Sequence, residues 1–88
     1  MVNNRRSEIE IIGQILSLSR SGAKKTEILY KCNLSYTQLH NYLDFLVGKE
    51  IVVEGLVENN GHSNKLYKLT DKGNLFLNGI NKILIYLK

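Results

Sequence analysis

Thiol chemistry is nearly absent from this chain. Cys32 stands alone among 88 residues, which excludes an intrachain disulfide and any multi-cysteine zinc site. His40 and His62 are the only histidines, one on an expected helix and one on an expected loop, and no metal-ligand spacing appears. Aspartate and glutamate are scattered, with neither a paired constellation nor a nucleophile–base arrangement. No glycine-rich phosphate loop is present; the glycines fall at turns, caps and one helix N-terminus. No enzyme, cofactor or small-molecule ligand is therefore expected. Long apolar runs are also missing, since none approaches the roughly 18–20 residues that span a bilayer. Met1-Val2-Asn3-Asn4-Arg5-Arg6 leads into an amphipathic segment with Glu8 and Glu10, without an h-region or cleavage site. The expectation is an intracellular, cytoplasmic protein without membrane contact.

What is present suits one small domain. Apolar residues make up 43% and charged residues 23%, the balance of an ordinary globular chain. A net charge of +4 suits a polyanionic partner. The excess is uneven: residues 1–34 carry six Lys/Arg against three Asp/Glu, and residues 35–88 six against five.

The organising stretch is residues 33–46. Leu39, Tyr42, Leu43 and Leu46 recur at the spacing of one helix face. Ser35 is a good N-cap, and Gln38 three residues on completes a capping box. The other face of the first two turns shows Tyr36, Thr37, Gln38, His40 and Asn41, which can all exchange hydrogen bonds with a base edge or a phosphate. An apolar back with an uncharged, hydrogen-bonding front is what a helix reading a DNA groove requires. A polar surface helix is the plainer alternative, and the flanks weigh against it.

Ser7 caps a first helix expected to run to about Ser21, with Gly22 as its left-handed C-cap. Ile9, Ile12 and Leu16 form one stripe and Ile11, Ile15 and Leu18 another, a face wide enough to be covered twice. Residues 23–25 form a connector with room for a one- or two-residue strand, and residues 26–32 a short helix with Ile28, Leu29 and Cys32 inward. A short helix, a tight turn at Asn33-Leu34 and a capped longer helix make a helix-turn-helix. After Gly48-Lys49 the period changes to two. Residues 51–58 read as a strand with a bulge or kink at Gly55, residues 59–64 as a polar loop holding Asn60-Gly61, and residues 66–69 as the returning strand. This hairpin is a wing carrying His62, Asn64 and Lys65. Thr70 caps a last helix in which Phe76, Ile80, Ile83 and Leu87 follow four–three–four spacing, a seam flanked by Leu77 and Leu84. Such a stripe reads as a dimer interface, joined by Ile11 and Ile15; the alternative is that it folds back on the first helix of its own chain.

The run Lys25-Thr26-Glu27-Ile28-Leu29-Tyr30-Lys31-Cys32-Asn33-Leu34-Ser35-Tyr36, followed by Leu39, Tyr42-Leu43 and Phe45-Leu46, resembles archaeal winged-helix transcriptional regulators. Tyr67-Lys68-Leu69-Thr70-Asp71-Lys72-Gly73 is similar to their Y-x-L-T-x-K-G junction between wing and last helix. The resemblance extends to small archaeal chromatin-type DNA-binding proteins, whose last helix pairs as an antiparallel coiled coil, and to small winged-helix proteins of archaeal viruses. Two departures stand out. The last helix is shorter than in the chromatin-type members. Gly48-Lys49-Glu50 replaces the usual basic residue followed by Gly, which is expected to change that turn and leave recognition untouched.

The resemblance implies a mainly α winged helix-turn-helix with a small β-hairpin, divided as a DNA-binding domain at 1–70 and a dimerisation helix at 71–88 packed on it. The expected partner is double-stranded DNA, bound by a homodimer acting in transcription regulation, near the nucleoid and in a host cell if the gene is viral. Bases would be read by Tyr36, Thr37, Gln38, His40 and Asn41. Phosphates would be held by Arg5, Arg6, Lys24, Lys25, Thr26, Ser35, His62, Asn64 and Lys65. Dimerisation would rest on Ile11, Ile15, Phe76, Ile80, Ile83, Leu84 and Leu87. Asp44, Glu54 and Glu58 would repel DNA and are expected to point away. The alternative function is a winged helix used for protein–protein contact without DNA binding.

Overall fold

Two serine capping boxes start the two longest helices of the N-terminal half. In α1 (Glu8–Leu18), Ser7 Oγ accepts the Glu10 N–H at 3.2 Å while Glu10 accepts the Ser7 N–H at 3.0 Å. In α3 (Tyr36–Gly48), Ser35 Oγ accepts from Gln38 N–H at 3.1 Å and Gln38 Oε1 accepts from Ser35 N–H at 2.9 Å. Each pair satisfies two amides that a helix end leaves open. The computed structural model describes residues 7–87, except for the side chains of Asn59 and Leu87. Between and after these helices come β1 (Ala23–Lys24), α2 (Lys25–Lys31), β2 (Val52–Asn59), β3 (His62–Leu69) and α4 (Asp71–Leu87).

Helix α1 stops at Leu18, three residues short of the sequence expectation. The buried Ser19 hydroxyl donates back to the Ile15 carbonyl at 2.8 Å, and the Ser19 carbonyl accepts the Leu69 N–H at 3.0 Å. The sheet thus claims the carbonyl, and the chain turns off through Gly22 at φ 97°. Helices α2 and α3 end in the same device. Asn33 (φ 54°) and Glu50 (φ 60°) are left-handed, and the next amide reaches back five residues, Leu34 to Leu29 and Ile51 to Leu46, both at 3.0 Å. Glu50 occupies this position with a side chain, so the Gly48-Lys49-Glu50 turn keeps the geometry that Gly would favour.

The sheet order is β1-β3-β2, antiparallel throughout. Strands β2 and β3 pair without interruption from Val52↔Leu69 to Asn59↔His62, so Gly55 sits opposite Leu66 in regular register and makes no bulge. The expected loop shrinks to the two-residue turn Asn60-Gly61, both at positive φ, because such a turn matches the strands' twist.

One core joins all the helices to the sheet: Ile15, Leu16, Ile28, Cys32, Leu39, Leu46, Val52 and Leu77 are fully buried. Cys32 is therefore a small core hydrophobe. Three residues assigned to dimerisation from sequence belong to this core instead, namely Ile15 at 0% exposure, Ile80 at 6% and Ile11 at 8%. Helix α4 packs on α1 of the same chain, with Gly13 giving Ile80 room to approach. At the start of α4, Thr70 Oγ1 accepts the Gly73 N–H at 2.9 Å and donates to the Glu50 carbonyl at 2.6 Å. A Cβ at Gly73 would overlap the Ile51 carbonyl oxygen, so the T-x-K-G spacing has a steric cause.

Candidate nucleic-acid interface

Burial of Leu39, Leu43 and Leu46 fixes which side of α3 faces out. The ridge farthest from the core is Thr37, Asn41, Asp44 and Gly48, at four–three–four spacing, and all four are exposed. Tyr36, His40 and Gln38 flank it. Tyr36 and His40 meet edge to face, 4.7 Å between centroids, which fixes the half-buried imidazole beside an exposed phenol. Gln38 has its amide oxygen turned back into the capping box.

Asp44 therefore stands on the outward ridge and does not point away from it. The 37–41–44 spacing carried that signal in the sequence. Glu54 also faces α3: in β2 it shares a sheet side with buried Tyr67, whose hydroxyl donates to Glu54 Oε2 at 2.7 Å. Tyr67 is pushed up to about 12, first by burial and then by this hydrogen bond, with the charges of Glu54 and Asp44 adding to it. An acidic side thus lies between α3 and the wing. Lys65, assigned to phosphate contact, lies 3.8 Å from Glu54 Oε2. His62 is exposed and Asn64 half-buried near the wing tip.

The phosphate candidates divide. Lys25, half-buried, and Thr26, exposed, open α2, and Ser35 caps α3 in the chain's helix-turn-helix. Lys24 pairs with Leu66, so its side chain leaves on the sheet face opposite α3. Arg5 and Arg6 lie outside the described residues. A cleft of about 520 Å³ between α1 and α3 is lined by Glu8, Ile12, Gln38, Asn41, Tyr42 and Phe45. Tyr30 is exposed on α2.

Helices α1 and α4 also form an apolar groove of about 330 Å³, lined by Ile9, Ile12, Leu75, Phe76, Gly79 and Ile83 among others. Phe76 and Ile83 from the predicted seam are there, 42% and 46% exposed, while Leu84 is half-buried against the core. Ile9, Ile12, Leu75 and Gly79 were missed. The two stripes of α1 are equally apolar in sequence, and tertiary packing divides them: Ile11, Ile15 and Leu16 are buried, while Ile9 and Ile12 line the groove beside α4. Among the described residues, no helix is long and apolar enough to cross a membrane. No group of three or more His, Cys, Asp or Glu there is placed to hold a metal ion.

Several known proteins share this arrangement. The uncharacterized protein MJ0290 of Methanocaldococcus jannaschii is 33% identical over 85 residues, 93% of this chain. The chain spans 36% of that relative's length. Sso10a-2, a DNA-binding protein from Sulfolobus solfataricus, is similar in structure at 26% identity and TM-score 0.74, over 92% of this chain and 81% of that one. A PadR-like transcription factor from Bacteroides fragilis is similar at 26% identity and TM-score 0.69, over 90% and 82%. A family model described as winged helix-turn-helix matches residues 5–87, and the chain belongs to that family.

Proposed function

We propose that this protein is a double-stranded DNA-binding transcriptional regulator that acts as a homodimer. Helix α3, the 35–48 segment with its Ser35 cap, enters the major groove, and the wing at 59–65 lies on the backbone or in the minor groove. One observation carries this reading: α3 buries an apolar back and presents the hydrogen-bonding side chains of Thr37, Gln38 and Asn41 outward, with half-buried His40 at their flank and Asp44 the one charge on the ridge. The likeness to Sso10a-2, itself described as DNA-binding, supports it. Because the capping box engages the Gln38 amide oxygen, Asn41 is the better bidentate reader of adenine. Lys25, Thr26 and the Ser35 region contact phosphates.

The second copy joins along α4, over the groove of Phe76, Gly79 and Ile83 with Ile9 and Ile12 of α1. Two recognition helices then read half-sites about 34–36 Å apart. The test is binding to random-sequence duplex at low salt, followed by selection of the preferred site. Absence of duplex affinity removes the reading and leaves a protein-contact module, which the acidic side formed by Asp44 and Glu54 would suit. With DNA bound, Asn41→Ala relaxes preference at one base pair by about 1–3 kcal/mol. Equal weakening on every sequence would show that α3 only positions the protein.

A further inference from the structure

The sheet has a second face that neither α3 nor α4 covers. Strand pairing puts Val53 opposite Lys68, Gly55 opposite Leu66 and Val57 opposite Asn64, and places Lys24 beside Leu66 on the other side of β3. All these side chains leave on the face away from the buried Val52, Tyr67 and Leu69. Val53 is 51% and Val57 45% exposed. Together with Leu66 and the Ser21-Gly22 turn they line a groove of about 250 Å³. Gly22 turns the chain at the groove's edge at φ 97°, and a Cβ there would meet the Leu66 side chain at 3.5 Å, an ordinary contact.

Charge on this face has one sign. Lys24 and Lys68 border the apolar strip, and Arg20 precedes the lining Ser21 by one residue. Among the described residues, the acids of the sheet, Glu54 and Glu58, alternate onto the opposite face. A second copy docking by the same face would set its Lys24 and Lys68 against the lysines already there, like charge on like charge, which argues against a second copy as the occupant. An apolar strip rimmed by lysines complements apolar side chains flanked by carboxylates.

We propose that this outer sheet face docks an acidic, apolar-faced peptide segment of another protein. Apolar side chains of the segment enter the groove over Val53, Val57 and Leu66, and its carboxylates meet Lys24 and Lys68. The site lies on the side of the sheet opposite α3, so docking and groove reading are compatible at once.

The test is methyl NMR of the full chain, titrated with three short synthetic peptides. One is amphipathic with Leu and Phe opposed to Glu and Asp; the second replaces the acids by Lys; the third keeps the acids and replaces Leu and Phe by Ala. The first should move the Val53, Val57 and Leu66 methyl signals and the others should not. Val53→Asp and Lys68→Glu, both at exposed positions, should each weaken binding about ten-fold or more. Equal binding of the Lys or Ala peptides, no shift with any peptide, or shifts confined to α3 or α4 would overturn the proposal. It also fails if duplex DNA alone moves the same methyl signals, or if Val53→Asp changes the self-association of the protein. Loss of duplex binding, measured separately, would remove the regulator reading and leave this one standing.

Discussion

Replacing Gly73 by Ala should destabilise the fold sharply, although Ala is the better helix former. The helix-propensity gain is about 1 kcal/mol. Against it, the new methyl would overlap the Ile51 carbonyl oxygen and press on the Leu69 side chain. Ile51 cannot yield freely, because its carbonyl accepts the Thr70 N–H at 3.1 Å and its amide closes α3 onto Leu46 at 3.0 Å. Relief therefore requires α4 to lift away, stretching the Thr70 bonds at about 1 kcal/mol each and loosening Leu77 and Ile80 in the core. With overpacking at about 1–3 kcal/mol, the net loss is about 2–3 kcal/mol. For a domain this small that lowers Tm by about 10–20 °C. Circular dichroism melts at fixed protomer concentration measure it, with Asn78→Ala as the control. Asn78 is exposed in the same helix and lies outside the apolar groove, so its substitution should be neutral or stabilising. A Gly73→Ala melt within two or so degrees of the parent would refute the steric argument, since about 1 kcal/mol already moves Tm by 4–8 °C.

Three further outcomes follow from the geometry. Lys25→Gln should reduce the log–log salt slope of duplex binding by about one per contact per subunit, whereas Lys24→Gln, on the far sheet face, should leave it unchanged; equal effects would mean the register does not separate them. Phe76→Lys with Ile83→Lys should give a folded monomer by sedimentation, while Ile80→Lys should unfold the chain. If the parent is already monomeric at micromolar concentration, the α4 pairing is wrong. Because Tyr67 is raised to about 12 from an ordinary 10, its contribution is intact below pH 10 and lost as pH climbs through 12. Parent and Tyr67→Phe stabilities should therefore converge over that window by about 2 kcal/mol; parallel curves would show that the phenol is not held neutral.

The parts that were legible in the sequence are those fixed by short-range chemistry. The Ser35–Gln38 box, the spacing of Leu39, Leu43 and Leu46, and the Asn60-Gly61 turn each need only their neighbours to form. What escaped depends on partners distant in the chain. Ile11 and Ile15 read as available for a second subunit because nothing local distinguishes their stripe from that of Ile9 and Ile12; only tertiary packing does. Gly55 reads as a bulge until a continuous register with β3 absorbs it. Glu50 hides a left-handed turn, since the sign of φ there is set by Ile51 reaching back to Leu46. For the candidate interface, residue types were readable and directions only in part: the 37–41–44 spacing held that of Asp44, whereas that of Lys24 depends on its pairing with Leu66.

Ile51 has a consequence beyond stability. Its amide ends α3, its carbonyl receives Thr70 at the entrance to α4, and the strand that follows it is the root of the wing. Helix α3, the wing and α4 thus meet at one residue, with no linker between them. In two chains joined along α4, the gap between their α3 helices would behave as a gauge block cut to one length rather than as an adjustable caliper. Operators with an extra base pair between half-sites would have to bend to be read, because the protein has no slack to offer.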